Sequence, residues 1–202
     1  YYDGGSPTAL WAVRSLGINP SDGRELFLTK EGTYTFEYDT EEEVVVGNSE
    51  PKLEGVLGST LYWKGFSFSL YFRYSLGADV FTEATYNKVE NISLAGLKSN
   101  QDKRALHDRW QKPGDHAKFK GISLTETTPI SSRFVLRENY IKAESISVGY
   151  DFESQAVQKL GIQSLRLQAN TTDLFRISSI KEERGIEYPF ARSFSFSLSA
   201  MF

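Results

Sequence analysis

Cysteine is absent from this chain of 202 residues, which rules out disulfide frameworks, thiolate metal sites and cysteine nucleophiles and leaves the redox compartment undetermined. Long apolar runs are absent as well. The longest, Ala9 to Val13, falls far short of the roughly 18 to 20 residues that a membrane-spanning helix needs. Positive charge is not in excess: Lys+Arg 23 stand against Asp+Glu 26, for a net charge of −3. No basic field for a phosphate backbone exists, and nucleic acid is not an expected partner. His107 and His116 are the only two histidines, and neither belongs to a His-Glu-x-x-His arrangement, so no metal site is expected. Walker, Gly-x-Gly-x-x-Gly and Gly-x-Ser-x-Gly patterns are missing, which removes the usual phosphate loops and the nucleophile elbow. The triplet Glu41-Glu42-Glu43 lacks the alternating ligands of a calcium loop and reads as a solvated turn. The expectation is a protein that is not an enzyme and carries no cofactor.

Alternation of period two is present, and it is strong. At the end of the chain Phe194, Phe196, Leu198, Ala200 and Phe202 alternate with serines, broken only by Met201, which is a strand with two unlike faces. Phe66, Phe68, Leu70, Phe72, Tyr74 and Leu76 alternate with Ser67, Ser69, Tyr71, Arg73 and Ser75. Two further strands are expected at Ile146 to Phe152 and at Leu165 to Ala169. Leu53 to Tyr62 reads as a fifth, although Gly55 and Gly58 blur its faces. Lys64-Gly65 between Trp63 and Phe66 suits a tight hairpin turn. The connections are then one tight turn, a long segment, a short one and a long one.

Short turns alternating with long loops, around strands with one apolar and one polar face, describe an outer-membrane β-barrel. Trp63, Phe66, Tyr74, Tyr150, Phe152 and Phe202 are expected at strand ends, where interfacial aromatics sit. The competing reading is a soluble β-sandwich that binds carbohydrate and buries the same apolar faces between two sheets. Five strands cannot close a barrel, since about eight make the smallest filled interior, so further strands are expected from elsewhere. Tyr1-Tyr2-Asp3-Gly4-Gly5 has neither an initiator Met nor a basic and apolar leader, and a start upstream is expected.

Outside the strands, residues 1–50 are expected to form a loop region with a small hairpin, Glu25 to Thr29 and Thr33 to Tyr38 around Lys30-Glu31-Gly32. Residues 51–202 hold the barrel strands and their loops. Asn100 to Lys112 reads as a helix stopped by Pro113-Gly114, with Leu106 and Trp110 on one face and Arg104 paired to Asp108. Trp110 could stack on a sugar ring or pack against neighbouring loops.

Several stretches then resemble the C-terminal part of the SusC/RagA-like TonB-dependent outer-membrane transporters. They are Ala9 to Val13 with Ser15 to Pro20, Pro51 to Gly58 with Trp63 to Phe66, Asn87 to Asn91, Asp108-Arg109-Trp110 with Pro113-Gly114-Asp115, Asp173-Leu174-Phe175, Gly185-Ile186, Tyr188-Pro189 and Ser195 to Phe202. The resemblance implies an all-β fold: the last strands of a large antiparallel transmembrane barrel of about 22 strands with long extracellular loops. It implies a place in the outer membrane of a Gram-negative cell and import of glycans, or of peptides, driven through TonB. The implied partners are outer-membrane lipid, the N-terminal remainder of the transporter with its plug, a SusD-like surface lipoprotein as lid, the TonB complex through that remainder, and the oligosaccharide or peptide itself. Phe202 resembles the aromatic signal read during barrel assembly. Tyr71 and Arg73 are the candidates for contact with the lumen, and Trp110 joins them as a candidate for substrate binding.

Overall fold

A computed structural model describes residues 4–98, 100–123, 125–152, 159, 161–181 and 192–202. The chain divides into two compact units, Tyr1–Glu50 with Ala78–Arg137, and Pro51–Gly77 with Glu138–Phe202. Among the described residues no helix is long and apolar enough to cross a membrane.

The first unit is built from short strands and turns. Strand β1 (Ala9–Ala12) pairs with β5 (Val44–Asn48), and β2 (Arg14–Ile18), β3 (Glu25–Leu28) and β4 (Tyr34–Thr35) form a small antiparallel sheet. The expected hairpin is present: Phe27 faces Thr35 and Leu28 faces Tyr34. Gly32 turns its tip at φ +86, with open space where a Cβ would stand. Burial collects in two places, around Val89, Ala105 and Phe119, and around Phe134, whose ring meets Tyr86 at 5.1 Å.

The second unit takes most of its residues from one antiparallel sheet, in the order β11-β9-β8-β7-β6. Its members are β6 (Leu53–Trp63), β7 (Phe66–Phe81), β8 (Val135–Phe152), β9 (Ser164–Thr172) and β11 (Phe194–Met201). A short β10 (Arg176–Ser178) continues the pairing along β8. Lys64 and Gly65 both take positive φ, 47 and 83 degrees, the combination that matches a two-residue hairpin to the twist of its strands. The Asp151 amide donates to the Gly65 carbonyl at 2.8 Å, so this turn is tied to the end of β8.

Two strands are longer than their alternation foretells. β7 runs on to Phe81, and β8 begins at Val135 rather than near Ile146. Tyr74 consequently lies inside β7 and not at a strand end. The pattern is interrupted at Gly77, whose positive φ breaks the pleat and whose amide donates to the Asn139 side chain at 2.7 Å instead of to a strand carbonyl. A second interruption is Asp173, at φ 54, between β9 and β10, where Asp is among the residues that tolerate the left-handed region.

The glycines that blur β6 have a packing reason. Opposite Gly58 stands Tyr71, and a Cβ on Gly58 would lie 2.3 Å from its ring. Opposite Gly55 stands Tyr74, 2.7 Å from a Cβ built there. Each glycine is covered by an aromatic of the next strand, which recovers packing that a bare glycine loses.

The registers align the faces across the sheet. Leu57 faces Phe72, Leu61 faces Phe68, Tyr150 faces Leu167, and Leu167 faces Leu198. Phe66 meets Tyr150 at 4.5 Å between ring centroids, which joins the apolar faces of β7 and β8. Much of this face is exposed: Phe196 to 77% and Leu198 to 68%. Among the described residues of this unit no second sheet covers it, so the sandwich expectation is not met. The fold is all-β and antiparallel, with β6 and β11 at the two edges of the sheet.

Candidate functional site

The polar face of the sheet carries the candidates Tyr71 and Arg73, two residues apart on β7. Tyr71 lies over Gly58, as described, and remains partly exposed. The Arg73 Nε donates to Glu144 at 2.8 Å, and Lys142 approaches the same carboxylate at 3.4 Å. Arg166 donates to Ser67 at 3.0 Å and lies 3.6 Å from Asp151, while Gln168 donates to Ser147 and Asn170. Farther along, Arg176 pairs with Glu138 at 2.7 Å and stacks over Tyr140 at 3.9 Å. The face is thus a lattice of hydroxyls and cross-strand ion pairs. The Arg73–Glu144 and Arg166–Asp151 pairs are partly open to water and hold side chains in place more than they stabilise the fold, whereas the Arg176–Glu138 pair is mostly withdrawn from it.

In the first unit, Arg109 and Trp110 organise the loops. The Arg109 guanidinium is buried and donates to the carbonyls of Ala105 (3.1 Å), Lys120 (2.8 Å), Glu90 (3.1 Å) and Val89. Burial holds its pKa below the ordinary arginine value, partly offset by Glu90, yet an arginine stays charged at any physiological pH. The Trp110 indole N–H donates to the Pro20 carbonyl at 3.0 Å, and a Cβ on Gly23 would collide with its ring at 2.5 Å. Gly114 N–H reaches the same Pro20 carbonyl at 2.8 Å. The stretches around Pro20 and around Asp108-Arg109-Trp110 are therefore two halves of one loop junction.

This junction also explains why the helix expected over Asn100 to Lys112 is a single turn, α1 (Arg104–His107). The Asp108 carbonyl accepts from Lys118 and Phe119, and Trp110 N–H donates to Phe119, so tertiary pairing takes the groups that would propagate the helix. Arg104 binds Asp102 at 2.6 Å, and Asp108 lies 3.8 Å from the Lys118 ammonium. Leu106 and Trp110 nevertheless line one open hollow of about 520 Å³, with Arg109, Gln111 and Ile122.

Sequence reasoning missed a buried ion cluster in the same unit. Arg133 lies between Glu25 (2.9 Å) and Glu90 (3.1 Å), both carboxylates nearly inaccessible. All five of its N–H groups are engaged, the last by the Lys118 carbonyl at 2.8 Å. Ser131 donates to Glu25 at 2.5 Å and Thr128 to Glu90 at 2.9 Å. Burial would lower the Arg133 pKa, but the hydrogen bonds it donates to the two carboxylates override this and hold it above the ordinary value. Residues 25, 90 and 133 are too far apart in sequence for any local signal to join them. Among the described residues no group of acids and histidines could hold a metal ion. Phe202 follows β11 and is 80% exposed. The stretches Gly185-Ile186 and Tyr188-Pro189 lie outside the described residues.

No family model matches the chain. Two curated relatives do, both from Formosa agariphila: TonB-dependent receptor P39, 24% identical over 142 residues, and TonB-dependent receptor P3, 24% identical over 173 residues. The alignments cover 68% and 86% of this chain but only 13% and 16% of the relatives, so the chain spans about a seventh of their length. Among solved structures, the RagAB peptide importer in its open-open state matches over 98% of this chain and 23% of its own, with a TM-score of 0.77 at 16% identity. The closed-closed state of RagAB matches over 88% of this chain and 20% of its own, with a TM-score of 0.70 at 17% identity. The chain is thus similar in sequence to parts of two TonB-dependent receptors, and it has the fold of part of the RagAB importer.

Proposed function

We propose that this chain supplies strands of the wall, and loops of the extracellular rim, of an outer-membrane importer in a Gram-negative cell. The observation that carries the reading is the sheet itself: among the described residues of its unit, one continuous apolar face is left uncovered, the other is lined with hydroxyls and ion pairs, and the strands at both edges have no further neighbour. An apolar face of this extent needs a solvent, and lipid is the one that also tolerates only closed sheets. The remainder of the transporter, including a plug, supplies the missing strands.

In this reading the Lys64-Gly65 turn is periplasmic and residues 82–134 are extracellular. Residues 1–50 are extracellular as well, and a SusD-like lipoprotein would act as lid. Tyr71 and Arg73 face the lumen, and Phe202 serves as the assembly signal. TonB supplies energy through the part of the protein that precedes this segment. The cargo is a short polymer, and a peptide is favoured over a glycan because the fold neighbours are named as peptide importers.

Fractionation with heat-dependent gel mobility tests location, and growth on an oligosaccharide or a peptide as sole nutrient tests import. The expected outcome is a detergent-requiring barrel in the outer membrane and growth that stops when TonB is removed. A protein recovered folded and monomeric from the detergent-free soluble fraction would overturn the reading.

A further inference from the structure

We propose that lipid hydrocarbon on the apolar face of the second unit ends at one hydrogen-bonded row, Lys52, Gly77, Asn139 and Ser179, with acyl chains covering the apolar side chains just beneath it. The inference rests on the importer reading and adds to it the depth at which this sheet sits in the bilayer.

The row crosses four strands. The Lys52 amide donates to the Leu76 carbonyl at 2.9 Å, and the Gly77 amide to the Asn139 side chain at 2.7 Å. The Asn139 amide donates to the Ser179 hydroxyl and the Ser179 amide to the Asn139 carbonyl, both at 2.8 Å. Lys52 lays its stem over Gly77, with Cγ 3.1 Å from where a Cβ would stand, so the aliphatic part of a charged side chain is packed while its ammonium can reach water. On the side nearer the Lys64-Gly65 turn the neighbours are aliphatic: Leu53 faces Leu76, and Ile141 faces Ile177. Phe175 meets Phe72 at 6.0 Å between ring centroids, which puts Phe175, and Ile177 two residues on, on the apolar face of β7. Leu53, Leu76 and Ile177 are exposed, Ile177 to 65%, and β7 exposes no large apolar side chain beyond Leu76.

The dimensions agree. Ten residue steps separate Phe66 from Leu76, about 34 Å of strand at about 3.4 Å per step. A tilt of about 40° leaves about 26 Å along the membrane normal, close to the apolar band of about 25 Å that an outer-membrane barrel presents to lipid. Trp63, the register partner of Phe66, marks the other end of the band, where interfacial aromatics belong.

Because these residues include no cysteine, single cysteines carrying a nitroxide spin label can report depth in the intact transporter reconstituted in lipid vesicles. Oxygen concentrates in hydrocarbon, whereas a charged nickel chelate stays in water. In Leu53→Cys, Leu76→Cys and Ile177→Cys the label should collide more with oxygen than with the chelate, and in Lys52→Cys and Ser179→Cys the order should reverse. Two or more variants on each side keep the test decisive if one loses the wild-type gel mobility. The chelate winning at Leu53, Leu76 and Ile177 would overturn the proposal by placing the boundary lower, and oxygen winning at Lys52 and Ser179 would overturn it by placing the boundary higher. Poor access of both probes at Leu76 and Ile177 would overturn it as well, since protein and not lipid would then cover them. Leu57→Cys separates this failure from that of the importer reading: oxygen winning there leaves a lipid-facing sheet with a different boundary, while the chelate winning there removes the membrane altogether.

Discussion

Glu25, Glu90 and Arg133 form the most consequential single-residue arrangement in the first unit. Two carboxylates withdrawn from water share one guanidinium, so removing it takes the ion-pair partner from both. Arg133→Met should cost about 3 to 5 kcal/mol, the usual range for breaking a buried pair, measured as a lowered urea midpoint. Arg133→Lys should recover little, since an ammonium cannot fork toward two acids at once. Gly23→Ala combines a positive φ of +73 with a collision against Trp110 and should lose about 1 to 3 kcal/mol. Tyr38 gives a pH dependence: burial first, then the Glu43 carboxylate, push its phenol above the ordinary value of 10.0. The fold favours the protonated phenol, so its contribution is complete below about pH 10 and is lost as pH rises through the folded value. Tyr38→Phe should therefore flatten part of the alkaline loss of stability in a pH series of unfolding curves. At this scale little was legible beforehand. The Arg109-Trp110 pair and the stretch through Pro20 stood out as motifs, but only three dimensions reveal that one stretch supplies the carbonyl for the other.

Strands were the legible elements, because alternation is written into every pair of neighbouring residues. All five main strands lie where their patterns fall, and the tight turn at Lys64-Gly65 follows from two residues. What alternation could not show is how far β7 and β8 continue once Gly77 breaks the pleat. The helix over Asn100 to Lys112 failed for the complementary reason: local periodicity was right for Leu106 and Trp110, but pairing with Phe119 captured the backbone groups. Two substitutions test the sheet. Gly58→Val would force Tyr71 off its place and should slow assembly, read as a smaller folded fraction on the gel, while Tyr71→Ala should leave Gly58 uncovered and relieve the penalty of that valine. Phe196→Arg, on the exposed apolar face of β11, should cost about 2 to 4 kcal/mol if it meets lipid. Normal assembly of that variant would argue against a membrane for this face.

At the scale of the second unit, among its described residues the sheet leaves one face and two edges without partners in that unit, so stability in isolation is not to be expected. Expressed alone in detergent-free buffer, these residues should aggregate, and sedimentation would show it. The two turns of positive φ differ in what surrounds them. Gly65 is held against Asp151, so a Cβ there would approach its carbonyl to 2.9 Å, whereas nothing stands within 4 Å of a Cβ on Gly32. The β3-β4 tip is therefore the place to graft an affinity handle: an insertion after Glu31 should leave expression unchanged and be accessible to antibody, while the same graft after Lys64 should abolish it. One short peptide tag, placed in turn at each tip, would give a surface label for living cells at Gly32 and a negative control at Gly65.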